Sequence, residues 1–259
     1  MTYIKLDRKD HVAQLTIDRP EGLNALNKEM LQELSATLLQ LAGDGQVRAL
    51  IITGAGEKAF VAGADIAEMA DMDRNEAEIF ARFGNRVMNQ VSSFPVPVIA
   101  AVNGFALGGG FELALACDLR IASTKASFAF PETGLGITPG FGGTQRLARL
   151  AGPMIALDLI MTGKRIRAGE ARELGIVLEV TEEKELLERA WEIAGLITQK
   201  APVAVREAKR SIKEGLDLTL MEGLALEESC FGRCFDTEDQ KNAMSAFLKK
   251  EKIGGFKGE

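Results

Sequence analysis

One histidine, one tryptophan, one tyrosine and three cysteines in 259 residues leave several kinds of chemistry without material. The lone His11 stands in Arg8-Lys9-Asp10-His11, ahead of a short strand pattern, where a turn is expected. Serine–histidine and cysteine–histidine mechanisms therefore have almost nothing to draw on. Three cysteines cannot all pair. Cys117 lies inside an apolar run and reads as a reduced, buried thiol. Cys230 and Cys234 sit four apart on a helical pattern, where packing is the simpler reading, because a metal site would lack further ligands. No metal site is expected. No basic block longer than a pair occurs and the formal net charge is −6, which argues against a nucleic-acid partner. No apolar run reaches the roughly 18 residues that span a bilayer, and no N-terminal signal pattern is present. A cytoplasmic protein with no membrane partner is the expectation.

Nucleotide motifs are missing as well. Gly163-Lys164-Arg165 lacks both the upstream glycine and the following serine or threonine of a Walker loop. The run Gly134–Gly143, G-L-G-I-T-P-G-F-G-G, puts Pro139 where a dinucleotide fingerprint needs glycine. By elimination, acid–base chemistry falls to carboxylates.

What is present suits a folded enzyme. Apolar residues make up 46% and charged residues 26%, enough to bury a sizeable core in one large domain or one and a half. Val12–Ile17 alternates like an edge strand. Asn27 is placed to cap a helix whose apolar positions are Met30, Leu31, Leu34, Leu38 and Leu41. Ala49–Thr53, Pro97–Val102 and Leu119–Ala122 read as buried strands, with a polar helix at about 75–91 between the first two. Strands alternating with helices predict crossovers and a mostly parallel sheet. From about Lys184 the pattern turns wholly helical, with Ala201-Pro202 the best boundary; residues 1–200 form the expected core and 201–259 a helical region.

The most informative stretch is Asn103–Asp118, N-G-F-A-L-G-G-G-F-E-L-A-L-A-C-D. Three glycines suit a sharp turn and close approach to a ligand. The run after them reads as a buried helix, whose start offers free N–H groups and a positive dipole end. Glu112 at that place is either a helix-end charge or a catalytic group with a raised pKa. Glu132 supplies a second acid, behind Pro131 and before another glycine-rich turn. Gly63-Ala64 and Gly108–Gly110 each follow a buried strand, Ala49–Thr53 and Pro97–Val102 respectively. Ligands of parallel sheets bind at the carboxyl ends of strands, and two such turns facing each other could aim two N–H groups at one oxygen.

Several long motifs resemble the crotonase (enoyl-CoA hydratase/isomerase) superfamily. They are R-P-E-G-L-N-A-L at 19–26, A-F-V-A-G-A-D-I at 59–66, P-V-I-A-A-V-N-G-F-A-L-G-G-G-F-E-L-A at 97–114, P-E-T-G-L-G-I-T-P-G-F-G-G-T-Q-R-L at 131–147 and D-T-E-D-Q-K-N-A-M-S-A-F-L-K-K at 236–250. The resemblance implies an α/β fold, a ClpP-like spiral of ββα units in two stacked sheets, closed by a helical C-terminal trimerisation region. It implies a homo-oligomer, a trimer or a dimer of trimers. It implies an acyl-CoA substrate and no separate cofactor. The backbone N–H groups of Ala64 and Gly109 would hold the thioester carbonyl, and Glu112 and Glu132 would flank a water. Ala25, Leu26, Ala62, Asp65 and Ile66 would contact CoA or substrate, and Phe247 and Lys250 would reach CoA bound by a neighbouring chain.

The same resemblance implies hydration of a trans-2-enoyl-CoA to the 3-hydroxyacyl-CoA, since an acid stands at both positions. A Δ3,Δ2-enoyl-CoA isomerase, a hydratase of branched or aromatic-pathway acyl-CoA, and a non-catalytic RNA-binding relative are the alternatives. One departure stands out. Hydratases of this type often carry glutamine before the Pro-Glu pair, where this chain has Phe130.

Overall fold

The apolar runs at 49–53 and 98–102 lie side by side as parallel strands, Leu50 opposite Val98 and Thr53 opposite Ala101. Every residue of both strands is buried. The structure, a computed structural model, describes residues 3–259. In chain order its strands are β1 (Ile4–Lys9), β2 (Val12–Ile17), β3 (Ala49–Gly54), β4 (Ala59–Ala62), β5 (Val98–Val102), β6 (Phe105–Leu107), β7 (Leu119–Ser123), β8 (Ser127–Ala129), β9 (Ile166–Arg167) and β10 (Glu179–Thr181). The larger sheet has the order β1-β2-β3-β5-β7-β10 and the smaller β4-β6-β8-β9. Among the described residues only the β1–β2 and β8–β9 pairs are antiparallel.

The helices are α1 (Lys28–Ala42), α2 (Ile66–Met69), α3 (Arg74–Ser92), α4 (Gly109–Ala116), α5 (Gly143–Ala151), α6 (Pro153–Thr162), α7 (Ala168–Glu173), α8 (Leu186–Thr198), α9 (Pro202–Gly215), α10 (Leu220–Cys234) and α11 (Glu238–Lys249). Three times the chain steps from the large sheet to the small one and then into helix: β3-β4-α2, β5-β6-α4 and β7-β8 with α5 beyond. That is the expected ββα spiral. Asn27 caps α1 by accepting the Met30 N–H at 2.8 Å, and all five predicted apolar positions of that helix are buried. One face of the large sheet enters the main core with α1, α3 and α4. The other face, including Ile51, Ile99 and Ile121, is covered by Leu186, Ala190, Ile193 and Ala194 of α8.

Two readings of the sequence need correction. Val12–Ile17 is not an edge strand; it pairs with β1 on one side and β3 on the other. Its alternation arises because Gln14 lies under α8, where it accepts the Trp191 indole N–H at 2.9 Å, so a polar residue is satisfied inside a layer. The glycine turns follow β4 and β6 rather than β3 and β5. Those small-sheet strands span four and three residues, too few to show a period, and they hide between the buried strand and its turn. Beyond α8, helices α9 and α10 pack on each other, and α11 carries the tail: Asp239 accepts the N–H groups of Lys257 and Gly258 at 2.8 and 2.7 Å. No helix among the described residues is long and apolar enough to cross a membrane.

Candidate active site

The glycine triplet before Glu112 does three separate jobs. Gly108 takes φ +47°, and a Cβ there would collide with Glu132 Oε1. Gly109 is the first residue of α4, so its N–H has no acceptor within the helix. Gly110 lets α4 pack against β4, since a Cβ there would strike the Val61 carbonyl. All eight residues of α4 are buried. The buried Arg120 holds the far end of the helix, donating to the Cys117 carbonyl at 2.7 Å.

The second donor comes from the loop after β4. Leu26 forms a parallel bridge with Ala64, donating to the Gly63 carbonyl and accepting from the Asp65 N–H, both at 2.8 Å. These bonds straddle Ala64, whose own N–H points away from Leu26. Gly63, at φ +97°, makes the turn that allows this. A Cβ on Gly109 would lie 3.4 Å from the Ala64 nitrogen, so the two N–H groups are near neighbours. Both residues line a cleft of about 620 Å³, which also takes in Glu112 and Glu132. Its apolar wall includes Met69, Met72, Phe80, Leu135 and Phe141.

The two carboxylates are held differently. Glu112, 1% exposed, accepts the Phe141 and Gly143 N–H groups on Oε1 at 2.8 and 2.7 Å. Burial raises its pKa, while those two hydrogen bonds and the nearby Arg146 pull it back. Glu132 starts a 3₁₀ turn, Glu132–Leu135, and its Oε2 is buried with no hydrogen-bond partner. Burial, with a smaller push from the Glu112 charge, lifts its pKa to about 7. Both acids are thus shifted upward by burial, Glu112 against two N–H bonds that favour its charged form, and Glu132 far enough to hold a proton near neutrality.

This perturbation has a cost that can be measured. Below the ordinary 4.5, Glu132 is neutral in both the folded and unfolded chain. Between 4.5 and about 7 the folded chain keeps the proton that the unfolded chain has lost. Stability from the protonated form is therefore fully present at low pH and is lost as pH rises through about 7. Glu132→Gln should melt above the wild type at pH 8, by about 2–4 °C for each kcal/mol of relieved strain. At pH 4.5 that advantage should vanish. Thermal melts at both pH values check it, and an equal gap at both would count against the assignment.

The other expected contacts are placed as follows. Ala62 and Ile66 line the cleft. Asp65 caps α2 and pairs with Arg19 at 2.9 Å, and Arg19 also reaches the Ala25 carbonyl at 3.3 Å. Leu26 is fully buried and acts through its backbone. Phe247 and Lys250 do not line the cleft of their own chain; Phe247 is 75% exposed and Lys250 caps α11 in a left-handed conformation. Cys230 is buried and Cys234 half-buried, both as free thiols. Phe130 does not face the cleft but stacks on Phe111 beneath it, centroids 4.7 Å apart. The sequence reading missed the backbone N–H groups of Phe141 and Gly143, which no side-chain motif announces.

Fold and cleft together define an α/β enzyme of the crotonase type. The chain belongs to the enoyl-CoA hydratase/isomerase family, which it matches over residues 7–258. It is 52% identical to a short-chain-enoyl-CoA hydratase of Clostridium acetobutylicum over 97% of either chain. It is 48% identical to a crotonyl-CoA hydratase of Syntrophomonas wolfei over 96% of each. The crystal structure of an enoyl-CoA hydratase from Bacillus anthracis superposes with a TM-score of 0.95 at 43% identity, covering 99% of this chain and all of the other.

Proposed function

We propose that the protein is an enoyl-CoA hydratase that adds water reversibly, in the syn sense, across a short trans-2-enoyl-CoA. The observation that carries this reading is the pair of unlike carboxylates in one cleft with two unspent N–H groups. The Ala64 and Gly109 N–H groups hold the thioester oxygen. Glu112 takes a proton from water, and the water oxygen bonds to Cβ. The C=C electrons move through Cα onto the thioester oxygen, where the two donors stabilise the enolate. Glu132 then delivers its proton to Cα. Proton exchange through solvent from Glu112 to Glu132 resets the site. No cofactor or metal enters this sequence, since the CoA thioester is the substrate.

The assay is loss of the conjugated-thioester absorbance with a panel of trans-2-enoyl-CoAs, run in water enriched in heavy oxygen. Label in the 3-hydroxyacyl product supports hydration. Double-bond migration in a 3-enoyl-CoA without label, and no hydration of any 2-enoyl-CoA, would instead indicate the isomerase.

The C-terminal region extends this proposal. We divide the chain into a core, residues 1–200, and a helical region, 201–259, that assembles a trimer or a dimer of trimers. Leu220, Met221 and Phe231 of α10 stand exposed in the single chain, as do Phe247 and Leu248 of α11. Such a concentration of large apolar side chains suits a second copy of the chain. Lys250, in an acidic protein, suits the phosphates of CoA held by that neighbour. A chain ending at Ser245 should lose mass in light scattering and bind CoA more weakly, and Lys250→Ala alone should weaken CoA binding several-fold. Retention of both oligomer and affinity by the shortened chain would show that the tail does neither job. A cytoplasmic setting accords with the three free thiols.

A further inference from the structure

Gly84 sits near the middle of the 19-residue helix α3 and is buried. A glycine there weakens a helix relative to alanine, by roughly 1 kcal/mol, so its presence needs a reason. The reason is a ring. A Cβ on Gly84 would collide with Cδ1, Cε1 and Cγ of Phe141. On its other edge the same ring lies against Gly109, whose built Cβ would be 3.4 Å from Phe141 Cδ2. Phe80 closes a third side, centroids 5.3 Å away. Phe141 is thus seated between two glycines, one in α3 and one that carries a proposed oxyanion donor.

The backbone around that ring is also fastened to α3. Asn85 donates its amide to the Gly140 carbonyl at 2.7 Å. Asn89 accepts from Arg146 at 2.6 Å, and Arg146 donates to the Phe141 carbonyl at 2.9 Å. This loop then delivers the Phe141 and Gly143 N–H groups to Glu112 Oε1. Without those bonds nothing else among the described residues holds that carboxylate by hydrogen bond.

We propose that Gly84 is a positioning residue for proton transfer: with Asn85 and Asn89 it seats the Phe141 loop on α3, and that seat fixes the Glu112 carboxylate. The inference rests on Glu112 being the base of the proposed hydratase. A methyl group at position 84 must push the ring toward Gly109 or lift the loop from α3, and either motion stretches the two N–H bonds to Glu112. The charged groups facing Glu112 are Arg146 from α5 and Glu132 from the 3₁₀ turn. The substitution at 84 alters neither charge.

The test is the pH profile of kcat/KM for Gly84→Ala and for Asn85→Ala. Losing the N–H bonds should move the acidic limb, where Glu112 protonates, to higher pH. Gly84→Ala should lower kcat at least tenfold with KM changed less than threefold, and Asn85→Ala should shift the limb the same way by less. An acidic limb unmoved in both Gly84→Ala and Asn85→Ala would overturn the proposal. Should Gly84→Ala not fold, Asn85→Ala decides alone. Activity retained by Glu112→Gln would instead overturn the base assignment, so the two failures are distinguishable.

Discussion

Glu112→Gln and Glu132→Gln should each lower kcat by about 10²–10⁴ while leaving acyl-CoA affinity nearly intact. Glutamine keeps the shape of either side chain but can neither take nor release a proton. No replacement stands nearby: the one histidine lies in the β1–β2 turn, its Nδ1 at 2.9 Å from the Gln46 carbonyl. The two variants should also differ from each other. Glu112→Gln leaves the Phe141 and Gly143 N–H groups facing an amide oxygen in place of a charge, so folding should be largely preserved. Glu132→Gln removes a charge that burial disfavours above about pH 7, so it should lose turnover yet gain stability at pH 8. Steady-state kinetics and melts on the same preparations test both halves. If either variant kept more than a tenth of wild-type kcat, the two-carboxylate mechanism would be wrong.

The sequence makes the placement of several cleft residues legible, for identifiable reasons. Glu112 drew notice because a charge stood between a glycine turn and an unbroken apolar run, and the fold buries it as that position implied. Strands β3 and β5 were visible because burial on both faces leaves a continuous apolar run. The small sheet was not. Its strands have two to four residues and depend on tertiary contacts with the large sheet, so no local period marks them. The direction of Phe130 is not legible, because adjacency in sequence to Glu132 says nothing of where a ring points; it turns into the core against Phe111. Gly84 carried a usable signal, a glycine inside a helical pattern. What it accommodates lies 57 positions away in Phe141, and only the fold brings the two together.

Gly109→Pro should cost about 10²–10³ in kcat beyond whatever Gly109→Ala costs, the loss typical of one missing oxyanion donor. The comparison with alanine is what makes the result interpretable. Position 109 is the first residue of α4, where proline is well tolerated because its missing N–H would be unpaired within the helix anyway. Both substitutions add a Cβ that meets the Ala64 nitrogen and Phe141 Cδ2 at 3.4 Å, a contact that requires those neighbours to yield by a few tenths of an ångström. Crowding is therefore common to the pair, and alanine alone keeps the N–H. Ala64, on the loop that Leu26 secures, should hold the thioester oxygen singly in the proline variant, so some activity should survive. The loss should fall on kcat more than on KM, because the donors matter most when the oxygen carries the enolate charge. A folded Gly109→Pro enzyme that turned over as fast as Gly109→Ala would remove Gly109 from the oxyanion hole. The stabilising charge would then have to come from Ala64 and the start of α4 as a whole.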